Sequence, residues 1–179
     1  MMKYRAVVKP FLTALALSAA ATACSHPIAA AAAEPPNSAG DIPDTQAFVT
    51  FVGPGYSVLV PEGWARTQRG SAVTFRSNAN TEFIEVKRGD DSYDLRARFH
   101  AIGPVTLQKH ATLGTGPATL ITFRSHSEPD PVTGKSTELE NALYTSARHG
   151  VYATLLLSAP VGADNADQWK KIAQSFRWR

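Results

Sequence analysis

Val151-Tyr152-Ala153-Thr154-Leu155-Leu156-Leu157 is a strand-length run with apolar residues at both odd and even positions. Successive side chains of a strand point to opposite faces, so a strand with one wet face alternates apolar and polar residues. This run does not alternate, and it predicts a central strand covered on both sides. Just upstream, residues 137–148 form a second β-type run, and His149-Gly150 supplies a tight hairpin turn between the two. Downstream, Trp169, Ile172, Ala173 and Phe176 recur at i, i+3, i+4 and i+7, with Lys170, Lys171 and Gln174 left for water. That spacing predicts a helix capped by Asp164 and running to residue 176 or so. It supplies a cover for the central strand.

Further out the chain reads as short strands and turns. Residues 47–52 are apolar and β-branched, and residues 56–60 stop at the turn Pro61-Glu62-Gly63. Residues 71–76 and 81–88 form a hairpin around Asn78-Ala79-Asn80, with Ile84 and Val86 on one side and Glu85 and Lys87 on the other. Residues 105–110 and 118–125 flank Gly114-Thr115-Gly116-Pro117. Pro129, Pro131 and Gly134 make residues 127–135 an exposed loop. Residues 91–100 predict a second, shorter helix, in which Leu95 and Phe99 share a face. The expected class is α+β: a mostly antiparallel sheet with the C-terminal helix packed on it.

Two stretches resemble a known group. Tyr56-Ser57-Val58-Leu59-Val60-Pro61-Glu62-Gly63-Trp64 is similar to the strand-turn that opens PsbP/Mog1-like domains. Residues 152–160, the following helix and Ser175-Phe176-Arg177-Trp178 are similar to the group's ending. The resemblance spans residues 48–178 and extends to actinobacterial envelope lipoproteins of the LpqN type. It implies an α/β/α sandwich around the sheet and a role without catalysis. Members of the group assist or dock onto other proteins, among them photosystem II, the Ran GTPase and cell-envelope enzymes.

The N-terminus carries Lys3, Arg5 and Lys9 and then 13 uncharged residues from Phe11 to Ala23. That length suits the apolar region of a signal peptide and is short of the roughly 20 residues of a membrane span. Ala21-Thr22-Ala23-Cys24 resembles a bacterial lipobox, which implies cleavage between Ala23 and Cys24 and lipid attachment to the Cys24 thiol. Ala-Thr-Ala also satisfies ordinary signal peptidase, and the alanine run 29–33 offers a later cleavage point. The expected organisation is a signal peptide over 1–23, a disordered tether over 24–45 and one domain over 46–179. The tether has only Ile28 and Ile42 as larger apolar residues, too little to offset the entropy of ordering it.

Charge and composition narrow the functional classes. The chain has 18 Lys and Arg against 15 Asp and Glu. Three of the bases belong to the signal, so the mature protein balances 15 against 15 and carries no footprint for nucleic acid. The single cysteine excludes a disulfide framework and a cysteine-built zinc cluster. No nucleophile elbow and no phosphate loop is present. His100, His110, His126 and His149 lack the close spacing of paired metal ligands, and Ser158 sits in an apolar strand as a sheet residue. Asp90, Asp91 and Asp94 read as the start of a helix, with Arg96 and Arg98 on a solvated face. Trp64, Trp169 and Trp178 read as core and rim.

The expectation is therefore no catalytic residue, no metal and no cofactor. It is a lipid-anchored accessory or scaffold protein at the extracytoplasmic face of the cell membrane, binding another envelope protein. A carrier for a small apolar envelope ligand, its binding residues not specified by the sequence, is the alternative. A hydrolase stands third.

Overall fold

A computed structural model describes residues 40–89 and 95–179, and they all belong to one compact unit. In chain order the elements are β1 (Phe48–Gly53), β2 (Tyr56–Pro61), β3 (Ala65–Arg69), β4 (Ala72–Ser77), β5 (Asn80–Arg88), α1 (Leu95–Phe99), β6 (Ile102–Leu113), β7 (Gly116–His126), β8 (Glu138–Arg148), β9 (Val151–Pro160), α2 (Ala166–Ser175) and β10 (Arg177–Trp178). They form a seven-stranded sheet of order β3-β4-β5-β9-β8-β7-β6 and a three-stranded sheet of order β1-β2-β10. Every described strand pair is antiparallel.

The unalternating run becomes β9, the middle strand of the larger sheet. Its two faces meet different layers. Ala153, Leu155 and Leu157 pack with Val73, Phe75 and Ile84, with Tyr56, Val58 and Val60 of β2, and with Ile172, Ala173 and Phe176 at α2. On the other face Leu156 joins Leu143, Phe123 and Ala101, with Phe83, Phe99 and Ile121 packed around them. Phe99 is the last residue of α1 and meets the Phe83 ring edge-on at 6.1 Å.

The C-terminal helix forms for the expected reason and is shorter than expected at both ends. Ile172 and Ala173 are buried. Phe176 turns the backbone to an extended conformation and ends the helix. Its ring is fully buried and stacks on Tyr56 at 5.7 Å. Burial of a side chain of that size contributes about 2–3 kcal/mol. The Ser175 hydroxyl fastens the same end to the small sheet: it accepts from the Leu59 amide and donates to the Ile172 carbonyl. The turn after β6 reaches over this end too, with the Gly114 amide donating to the Ala173 carbonyl at 3.1 Å. A Cβ at Gly114 would overlap the Gln174 carbonyl and the Arg177 guanidinium, so only glycine fits there.

Several features differ from the sequence reading. The helix cap is Asn165, not Asp164, and its side chain does not cap. The Asn165 side chain accepts from the Ile42 amide at 2.7 Å and donates to the Gly40 carbonyl and to Asn80 Oδ1. Residues 40–44, assigned to the tether by composition, are thus a strap across the start of α2. Ile42 is buried, Asp41 Oδ1 accepts from the Asp164 amide, and Asp44 Oδ1 accepts from Gln168. Strand β3 was not expected: Ala-Arg-Thr-Gln-Arg has no alternation because all five residues are exposed at the sheet edge. Of the helix expected over 91–100 the structure describes α1, Leu95–Phe99, which His100 stops with a left-handed conformation (φ 51°); residues 91–94 lie outside the described residues. Strand β6 begins earlier and runs longer than residues 105–110, with register shifts between Ile102 and Thr106 and between Gln108 and Ala111.

Candidate functional site

Cys24 and Ala23, the expected lipidation and cleavage positions, lie outside the described residues. So do Asp90, Asp91 and Asp94, and the Arg96 side chain. Among the described residues no helix is long and apolar enough to cross a membrane. No group of three or more His, Cys, Asp or Glu comes together there as a metal site. The histidines stay dispersed: His110 is exposed in β6, His126 ends β7, and His149 occupies the β8–β9 turn with φ 50°. Ser158 is buried in β9, opposite Asn141 and Thr81.

Two concavities are built by several elements at once. The first lies at the start of α2, on the face of the large sheet that α2 covers. Its volume is about 570 Å³. Arg124 of β7, Glu140 of β8, Asp164 and Trp169 all border it. The register places Arg124 directly opposite Glu140. Arg124 donates to Glu138 Oε1 at 2.9 Å. Glu140 is half-buried; burial raises its pKa, and the Arg124 charge works against that rise. Trp169 is half-buried, one part against the main core and one part in the groove. A guanidinium, two carboxyls and an indole around one open hollow make a surface that can bind a polar partner with an aromatic anchor.

The second concavity runs under α1 on the opposite face, with a volume of about 630 Å³. Phe83, Phe99 and Leu156 give it an apolar part, and Arg69, Arg76 and Glu128 a charged rim. Arg98 also borders it, and its guanidinium donates to Glu85 Oε2 at 2.7 Å.

The strongest pKa perturbations lie in neither groove. Glu82 is fully buried on the α2 face of β5, opposite Phe75 and Leu157, and neither carboxyl oxygen has a hydrogen-bond partner. Burial raises its pKa well above the ordinary value and so favours the neutral acid. The Tyr56 hydroxyl is also buried without a partner. Burial pushes it up to about 12, with Arg66 pulling it down and Glu82 adding to the rise. These groups face the core, where no substrate reaches them.

Of the three tryptophans, all pack against the main core, and Trp169 and Trp178 also border hollows. The sequence favours core and rim packing for these rings over the lining of a ligand groove, and two of them line hollows as well. It singled out neither Arg124 nor Glu140. Both become visible only through the β7–β8 register, which sets side by side two residues far apart in sequence.

The described residues form an α+β domain with a mostly antiparallel sheet and two helices. No protein-family model matches the chain, and no curated protein sequence matches it. Solved structures with a related backbone include a protein from Bacteroides thetaiotaomicron (16% identity, TM-score 0.47, 73% of this chain and 48% of that one). The chain thus spans about half the length of that protein. Others are the Ran-binding protein Mog1p of Saccharomyces cerevisiae (8% identity, TM-score 0.46, 75% of this chain and 96% of that one) and the cyanobacterial PsbP of Synechocystis (14% identity, TM-score 0.43, 80% and 98%).

Proposed function

We propose that this chain is a membrane-tethered accessory protein without catalytic activity, which docks another envelope protein outside the cytoplasmic membrane. In this reading the Cys24 thiol carries the lipid and residues 25–39 form the tether. The domain is an α/β/α sandwich of the PsbP/Mog1-like group, of the LpqN lipoprotein type. The observation that carries the docking role is the open groove at the start of α2, where Trp169 stands among Arg124, Glu140 and Asp164. Tryptophan and arginine are enriched among the residues that dominate binding at protein interfaces. The strap over residues 40–44 borders the same end of α2 and holds it in place.

The test is photo-crosslinking in living cells from a probe placed at Asp164. A reproducible protein partner is expected, and its capture should fall at least several-fold with Trp169→Ala or Arg124→Glu. Unchanged capture in both variants would refute the groove as the docking face.

A second reading, a carrier for a small apolar envelope ligand, is favoured by the apolar part of the groove under α1, where Phe83, Phe99 and Leu156 meet. Its volume is within the range of ligand pockets. Saturable binding of a neutral alkyl glycoside, weakened by Phe83→Ser, would support it.

A further inference from the structure

A third hollow lies where β5, β9 and β8 end beside β10, and its chemistry differs from both grooves. Its volume is about 390 Å³. Among the described residues, three arginines border it, Arg88, Arg148 and Arg179, together with His149 and no Asp or Glu side chain. The strand register makes the arrangement specific. Arg88 is opposite Val151, and Val151 is opposite Arg148. The two arginines therefore occupy one row of one sheet face, two strand spacings or about 10 Å apart. Their long side chains can close on an object held between them.

Arg179 arrives from a separate element. Trp178 pairs with Tyr56 in the small sheet, and the Arg179 amide donates to the Gly55 carbonyl at 2.9 Å. Among the described residues, none of the three guanidinium groups has a hydrogen bond or an ion pair. The apolar wall of the hollow is Val86, Val151 and Trp178. The Trp178 ring is fixed by an edge-on contact with Phe176 at 5.4 Å.

We infer that this hollow binds a phosphate group. All three arginines are exposed, and three like charges clustered around one concavity raise the local positive potential and favour an anion there. Arginine presents a planar fork that pairs two donors with two oxygens of one anion. A phosphate monoester offers three non-bridging oxygens, enough for several forks at once, where a carboxylate has two. The apolar wall fits the carbon part of a phosphate ester, either a soluble one or the headgroup of an anionic lipid. This site does not depend on the docking groove at Trp169, which is lined by different residues.

The test uses the mature chain, residues 24–179, carrying Cys24→Ser, so that neither the signal segment nor an attached lipid drives vesicle binding. Glycerol phosphate is titrated and followed by calorimetry. Co-sedimentation is measured with phosphatidylcholine vesicles with and without phosphatidylglycerol. The expected result is saturable binding of at least one phosphate probe, lost about tenfold or more in Arg88→Ala/Arg148→Ala. Lys135→Ala/Lys170→Ala removes the same charge elsewhere and should leave binding unchanged. Arg88→Lys/Arg148→Lys keeps the charge and loses the fork, and should bind at an intermediate strength. Binding of glycerol phosphate identifies a soluble ester as sufficient, and binding only to phosphatidylglycerol vesicles identifies the lipid headgroup. Four results would overturn the inference: no binding of either probe, equal binding to pure phosphatidylcholine, an equal loss in the lysine control, or displacement by a polyglutamate peptide at the concentration of the phosphate itself.

Discussion

The two faces of the seven-stranded sheet are built to different standards. The face toward α2 and the small sheet holds the larger cluster, with Tyr56, Ile84, Leu155, Leu157, Ile172 and Phe176 all essentially removed from water. The face toward α1 holds a smaller cluster, centred on Leu143, Leu156, Phe123 and Ala101. Among the described residues the helix over it is the five-residue α1, and a groove of about 630 Å³ lies beside it. One layer supplies stability, since burial of apolar area is the dominant favourable term. The other leaves apolar side chains within reach of solvent, where a ligand or partner could meet them. The difference can be attacked by mutation.

The largest effect should come from the ring that closes the α2 face. Phe176→Ala should cost about 3–5 kcal/mol, the usual range for emptying a buried aromatic site. Phe99→Ala, on the half-covered α1 face, should cost under about 2 kcal/mol. Urea unfolding of both variants measures the contrast. Equal losses would mean that the two faces contribute alike.

Glu82 is the exception inside the well-packed layer. Glu82→Leu should stabilise the protein at neutral pH by about 1–3 kcal/mol, because it removes a buried polar group with no partner. The pH dependence follows from the direction of its shift. A carboxyl whose pKa is raised on folding holds its proton in the folded state where the unfolded chain has lost it. Its contribution is fully present below the ordinary value of 4.5 and declines as pH rises toward the folded value. Unfolding free energies of the wild type measured from pH 4 to pH 8 should therefore fall more steeply than those of Glu82→Leu. Parallel profiles would show that Glu82 is solvated or paired.

A smaller effect is expected at the strap. Asn165→Ala removes three hydrogen bonds that tie residues 40–42 and Asn80 to the start of α2. It should cost about 1–2 kcal/mol and speed hydrogen exchange at the Ile42 amide before the rest of the domain. Exchange at Ile42 unchanged from the wild type would mean that the strap is held by Asp41 and Asp44 alone.

What the sequence made legible follows from the range of the interactions. Strand β9 and helix α2 were readable because their patterns are local: an unbroken apolar run, and apolar residues recurring every three to four positions. The β8–β9 hairpin was readable from His149-Gly150 for the same reason. Strand β3 was hidden because an exposed edge strand imposes no alternation on its residues. The strap was hidden because its fastening is polar and distant, with Ile42 bonding Asn165 across 123 positions. The grooves were hidden in the same way. Arg124 and Glu140, or Arg88 and Arg148, become neighbours only when the strand register is known, and no local pattern encodes it.

The claim on which the functional account rests is that a lipid on Cys24 holds this domain at the membrane. Mass spectrometry of the mature protein from cells tests it directly. The account predicts a polypeptide whose first residue is Cys24, with the mass of a diacylglyceryl thioether on that residue. A mature chain that begins elsewhere, or that carries Cys24 as a free thiol, would contradict it.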